Sequence, residues 1–254
     1  MMPGERGQLG QAGLLIAAHG IKKSFVTGQA ETEVLHGVDL CIQSGHLALV
    51  MGPSGSGKTT LLSILAGLLR PSDGYVDLCG ERMTALPPHR IAELRRRRVG
   101  FVFQTYNLFP ALTALENVMA ALRMKGAPAG DARARALHCL ERVGLAELVA
   151  RRPGQLSGGQ RQRVAVARAL ATAPSLLFGD EITAALDPAS GHAVMRLLRE
   201  HADLGHAVLI VTHDARLKEY ADHVIEMQDG YIVRERYTHR AESDFDPFER
   251  TTPS

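Results

Sequence analysis

The chain is predicted to be an α/β protein: a mostly parallel sheet with helices packed on it, an N-terminal antiparallel β subdomain, and an inserted helical subdomain. Three observations lead there. Strand-like runs dominate the first fifty residues, helical runs alone fill the stretch between Thr105 and Gln155, and strict strand–helix alternation resumes after it. Alternation of this kind places successive strands parallel, with their helices covering the sheet.

Taken in order, Leu14–Phe25, Val34–Ile42 and His46–Val50 read as strands, separated by the turn residues Thr27-Gly28 and Ser44-Gly45. A helix follows from Lys58 to Leu69, stopped by Pro71 and a turn at Ser72-Asp73-Gly74. Pro88 opens a short helix that ends in Arg95–Arg98, and Val99–Gln104 reads as a buried strand. Thr113 and Glu116 form a capping-box pattern ahead of the helix Asn117–Met124, and a second amphipathic run, Asp131–Val143, is ended by Gly144. The alternating part comprises helix Gly159–Thr172, strand Ser175–Gly179, helix Pro188–Leu204 and strand Ala207–Thr212, then a short helix and a hairpin around Asp229-Gly230. One folded domain is therefore expected over 14–237, with the helical subdomain at about 105–158. Residues 1–13 are expected to be mobile, and the polar, aperiodic tail 238–254 disordered.

Composition narrows the function classes. Hydrophobic residues make up 45% of the 254 positions and charged residues 22%, enough for a buried core. With 29 basic and 27 acidic side chains the net charge is only +2, which does not single out nucleic acid as a partner. Cys41, Cys79 and Cys139 are far apart and odd in number, so neither a zinc cluster nor a disulfide framework is expected, and a reducing compartment fits. The longest apolar stretch, Leu61 to Leu69, falls well short of the ~20 residues that span a bilayer. Gly13 to Ala18 is too short and lacks the basic flank of a signal peptide. The run Arg95–Arg98 reads as a solvated helix end, where cations complement the dipole, with a lipid contact as the alternative.

The strongest chemical signal is the run Gly52, Pro53, Ser54, Gly55, Ser56, Gly57, Lys58, Thr59, with Thr60 behind it. A triphosphate is a dense anion, and a glycine-rich loop lets successive backbone N–H groups point inward at it. Lys58 is placed to reach the outer phosphates and the Thr59 hydroxyl to ligate Mg²⁺, with the following helix directing its N-terminus at the phosphates. The core is thus expected to be that of a P-loop NTPase. Downstream, Ser175–Gly179 ends in the paired acids Asp180 and Glu181. Asp180 suits a hold on Mg²⁺ and Glu181 the polarisation of an attacking water.

Leu156, Ser157, Gly158, Gly159 and Gln160 then form a helix start with a capping serine and two glycines. Here the chain resembles the ABC transporter ATPases, whose signature this is, and the resemblance spans roughly Leu14 to Val233. It implies ATP as nucleotide, with Ser157, Gly158, Gly159 and Gln160 meeting the ATP bound by a second copy in a head-to-tail dimer. Gln104 resembles the glutamine that touches Mg²⁺ and communicates with the membrane subunit, and Ala185-Leu186-Asp187 a loop at the dimer seam. His213 resembles the histidine that contacts the γ-phosphate, and Phe25 the aromatic that stacks on adenine. Read without the family, these four are a core glutamine, a helix-capping aspartate, a surface histidine and a core phenylalanine.

Gly100 to Val118 is similar to the ATPases that serve permeases with large extracytoplasmic domains. The resemblance implies a subunit that binds and hydrolyses ATP, peripheral to the cytoplasmic face of the inner (plasma) membrane through its permease. Such a subunit powers export or extraction of a hydrophobic or lipid-like substrate; the alternative is a cargo-free ATPase that drives a periplasmic or cell-wall enzyme. The helical insertion would carry the groove for the permease's coupling helix, with Phe109 and Leu112 either lining it or serving as core. One departure stands out. The family has proline after the catalytic glutamate where this chain has Ile182, and Ala184 replaces a commoner serine or glycine. Isoleucine restores an N–H and some backbone freedom beside Glu181, which bears on turnover more than on nucleotide binding.

Overall fold

A computed structural model of the chain describes residues 13–28 and 30–238. The regions expected to be mobile or disordered lie outside them, apart from Gly13 and Thr238, which each bond to the folded part: Ser44 N donates to Gly13 O and Thr238 N to Asp222 O.

Strand β1 (Leu14–Thr27) pairs antiparallel with β2 (Ala30–Gln43). Strand β3 (Leu47–Met51) leads into the glycine loop and α1 (Lys58–Leu65). The helix is four residues shorter than expected, because Gly67 turns left-handed at φ 68° and breaks it. The expected turn at 72–74 is a second correction. Asp73–Leu78 forms β4, paired antiparallel with β1 from Lys22↔Asp73 onward, and Glu81–Arg82 adds a short β5. Those pairings join positions distant in sequence, so local turn chemistry at Ser72-Asp73-Gly74 gave the wrong reading.

Helix α2 (Pro88–Arg98) and strand β6 (Val99–Val102) precede the helical subdomain. There α3 (Ala114–Met124) carries the full capping box, with Thr113 Oγ1 accepting from Glu116 N and Glu116 returning a bond to Thr113 N. Helix α4 (Ala129–Arg142) packs against it, and both rest on α5 (Gly158–Ala171). Strand β7 (Leu176–Asp180), α6 (Pro188–Asp203), β8 (Ala207–Val211), β9 (His223–Gln228) and β10 (Tyr231–Tyr237) complete the fold.

Two sheets result. The antiparallel sheet has the order β2-β1-β4-β5, and the main sheet β10-β9-β3-β8-β7-β6, parallel except for the β9–β10 hairpin. Side chains of a strand alternate between faces, and β3 shows this without a polar residue on either side. Leu47, Leu49 and Met51 join the layer formed with α3, α4, α5 and α6, whereas Ala48 and Val50 join the layer under α1, α2 and the antiparallel sheet. The carboxyl ends of β3, β7 and β8 deliver the glycine loop, the paired acids and the segment leading to His213 to one edge.

Candidate functional site

A cleft of about 580 Å³ opens at that edge. Gly52, Ser54, Gly55, Gly57, Lys58, Thr59, Thr60, Gln104, Asp180, Glu181 and His213 line it, gathered from four separate segments. Gly52 is required where it stands: at φ 151° it passes so close to β9 that a Cβ would lie 2.0 Å from the Met227 carbonyl oxygen. Ser56 is buried beneath the loop, where Lys58 Nζ donates to its Oγ at 3.4 Å and to the carbonyls of Gly52 and Pro53 at 3.0 and 2.6 Å. The ammonium is thus anchored over the loop whose N–H groups would face an anion.

Across the cleft, Thr59 Oγ1 donates to both carboxylate oxygens of Asp180 at 3.2 Å. Burial raises the Asp180 pKa above the usual carboxylate value, against the hydrogen bond from Thr59. A hydroxyl and a carboxylate converging here, with the Gln104 amide lining the same cleft, form an all-oxygen donor set suited to a hard divalent cation such as Mg²⁺. Glu181 Oε1 lies 2.9 Å from His213 Nδ1, and the hydrogen bond and charge of the glutamate raise the histidine's pKa although the ring is exposed. A phosphate cradle, an oxygen site and a carboxylate–imidazole pair within one cleft make up the parts of a phosphoanhydride hydrolase.

The ABC transporter family profile matches residues 35–184. The chain is 48% identical over 216 residues to the lipoprotein-releasing system ATP-binding protein LolD of Anaeromyxobacter dehalogenans, covering 84% of this chain and 90% of that one. The chain belongs to the ABC transporter family. This cassette is also 45% identical over 219 residues to the macrolide export ATP-binding/permease protein MacB of Azoarcus sp. (strain BH72), covering 86% of this chain but 33% of MacB. It therefore spans about a third of the length of such relatives. Among solved structures it is similar to the dimeric cassette MJ0796 in a post-hydrolysis state bound to ADP and Pi. The TM-score is 0.84 at 38% identity, over 88% of this chain and 98% of that one.

Not every residue singled out in the sequence meets the cleft. Ser157, Gly158, Gly159 and Gln160 stand outside it at the start of α5. There Gln160 N donates to Ser157 Oγ and Ser157 N to Gln160 Oε1, a complete capping box. This N-terminus backs onto Ala185, whose carbonyl oxygen would lie 3.0 Å from a Cβ at Gly159. Asp187 caps α6, its carboxylate accepting from Ser190 N. Phe25 is 41% exposed on β1, carries Lys23 Nζ 5.1 Å from its ring centroid, and is not among the cleft's lining residues. Val34 of β2 and Val211 of β8 also line the cleft although neither was a candidate; Val211 opens the run that ends in His213 and Asp214, and no local signal marks Val34.

Ile182 stands where the family has proline. Its side chain is fully buried in the layer with Leu177 and Ile210. Glu181 before it adopts a left-handed backbone at φ 49°. Such a conformation costs a non-glycine residue of order 1–3 kcal/mol, and burying an isoleucine contributes about 1.5–3 kcal/mol, so the two offset.

A second hollow lies between the core and the helical subdomain. Leu68, Phe101, Phe103, Phe109 and Met124 give it an apolar floor, and Arg95, Arg96, Lys125 and Arg168 stand around it. It is therefore shared by the segment after α1, α2, β6, α3 and α5 rather than carried by the insertion alone. Leu112 is not part of its lining; it is half-buried, and its carbonyl accepts from Asn117 Nδ2. Asn117, fully buried, also accepts from Phe109 N and donates to the carbonyls of Phe109 and Thr113, so one amide orders the loop that presents Phe109.

Proposed function

We propose that two copies of this cassette bind two Mg·ATP head to tail, close on them, hydrolyse them, and thereby drive a membrane permease. The observation that carries this reading is the separation of the signature from the cleft. The chain assembles phosphate loop, acids, Gln104 and His213 in one place, yet leaves the capped N-terminus of α5 outside it. A helix N-terminus is an anion site, and a second copy set head to tail would bring it onto the γ-phosphate; that MJ0796 is dimeric supports a two-copy assembly.

In that dimer, Lys58 and the loop N–H groups hold the outer phosphates and Glu181 orients and deprotonates the attacking water. His213, paired with Glu181, faces the γ-phosphate. Mg²⁺, when bound, would offset charge between the phosphates, held by Thr59, Gln104 and Asp180. The hollow beside Gln104 takes the permease's coupling helix, an amphipathic-helix-in-groove contact, and keeps the cassette on the cytoplasmic face of the inner membrane. A lipid-like or hydrophobic cargo is the reading favoured by the similarity to the lipoprotein-releasing and macrolide-export proteins. Phe25 is assigned to adenine by resemblance.

Gel filtration of Glu181→Gln with Mg·ATP tests the central claim. Loss of a positioned general base lowers turnover by roughly 10²–10⁴-fold, so a dimer should accumulate, whereas Lys58→Ala should bind no ATP and stay monomeric. Normal hydrolysis by Glu181→Gln removes that residue from the catalytic role.

A further inference from the structure

We propose that Ile182 is a positioning residue for Glu181, fixed in place by a socket that Gly179 leaves open on β7. The inference rests on Glu181 being the catalytic carboxylate and adds how this chain holds it without the family's proline. Gly179 lies on the same face of β7 as Leu177, toward the layer that contains Ile182 and Ile210. A Cβ built on Gly179 would lie 2.8 Å from Ile182 Cγ2, 3.4 Å from its Cδ1 and 3.6 Å from Ile210 Cγ1. The branched end of Ile182 thus occupies the space that any larger side chain at 179 would need.

A β-branched side chain has one strongly preferred χ1 in a given backbone setting. Seating both arms of Ile182 in the hollow therefore fixes the backbone that carries them. That backbone is one peptide from Glu181, itself held left-handed by two bonds: Glu181 N donates to Val211 O at 2.9 Å, and Ala184 N donates to Glu181 O at 3.1 Å. Proline would set this turn through its ring. Here a side chain locked into the sheet sets it, and Gly179 and Ile182 are consequently coupled: neither can change alone without moving the carboxylate that meets His213.

The test is a set of variants of the full chain assayed for ATPase kcat and, in EDTA, for ATP affinity, with Glu181→Gln in parallel. Gly179→Ala should lower kcat about tenfold or more, as small misplacements of catalytic groups do, while leaving ATP affinity within about twofold. Gly179→Ala/Ile182→Ala should turn over faster than Gly179→Ala alone, because the new methyl then has room. Ile182→Val keeps Cγ2 and Ile182→Leu keeps volume but loses the branch, so the leucine variant should be the slower by about fivefold or more; simple filling of a core would order them the other way. Wild-type kcat for Gly179→Ala, or losses that multiply in the double variant, overturns the proposal. Should Gly179→Ala not fold, the valine–leucine comparison decides, and equal rates overturn it. Normal turnover by Glu181→Gln brings down the catalytic reading beneath it instead.

Discussion

His213 is exposed, yet its pKa is raised above 6.5 by Glu181, whose carboxylate accepts from or faces its Nδ1. The sign follows from the pairing. A raised folded-state pKa means the contact contributes fully below the ordinary value and is lost as pH climbs through the raised one. In the nucleotide-free cassette, Glu181→Gln should therefore return the His213 titration toward 6.5, as followed by NMR of the imidazole. An unchanged midpoint would mean that the pair does not persist in solution. Much at this scale was legible beforehand. Lys58, Thr59, Asp180 and Glu181 are fixed by contiguous spacing next to a strand or helix end, and the fold brings them together through β3 and β7, which flank β8. Ile182 was not legible, because its role depends on an absence of side chain at Gly179 and on the depth of that hollow.

Among the elements, α3 illustrates what local signals carry. Its capping box at Thr113 and Glu116 is where the sequence placed it, since the pattern is complete within four residues. Strands β4 and β5 were missed, because they exist through pairing with β1 and with each other. Asn117 lies between these cases: it reads as an ordinary polar helical residue, and only the folded loop shows its amide meeting four backbone groups. Removing it leaves buried donors and acceptors unmatched at about 1–3 kcal/mol. For a domain of this size that corresponds to roughly 2–12 °C in Tm. Asn117→Ala should show that loss by thermal denaturation with ATP affinity intact, and should weaken permease capture as Phe109 loses its setting. An unshifted Tm would mean the loop is held by other contacts.

For the molecule as a whole, the distribution of charge and apolar surface bears on the proposed contact with a permease. Among the described residues, no helix is long and apolar enough to cross one. Phe109, at 52% exposure, and Met124, at 68%, lie in the hollow beside Arg96 and Lys125, neither of which pairs with a carboxylate among the described residues. Burial and the neighbouring Arg135, Arg96 and Arg98 lower the Lys125 pKa. Arg96→Glu/Lys125→Glu should release the cassette from membranes that contain its permease while its ATPase in solution stays within about twofold, since rim charges act mainly on association. Fractionation with and without the permease reads this out. Membrane association that survives its omission would redirect attention to Arg95–Arg98 as a lipid contact.

Strand β3 has a consequence for how the protein breathes. It is hydrogen-bonded on both sides, to β8 and β9, and contributes residues to both apolar layers. No partial opening that separates one layer from the sheet frees it. Its amides should exchange with solvent only through global unfolding, while those of the outer hairpins exchange through local events. The loop beginning at Gly52 is spliced directly to that slowest-exchanging strand. The phosphate cradle thus begins at the most protected element of the sheet, so Gly52 should keep its place against β9 through local openings that loosen the rim of the cleft.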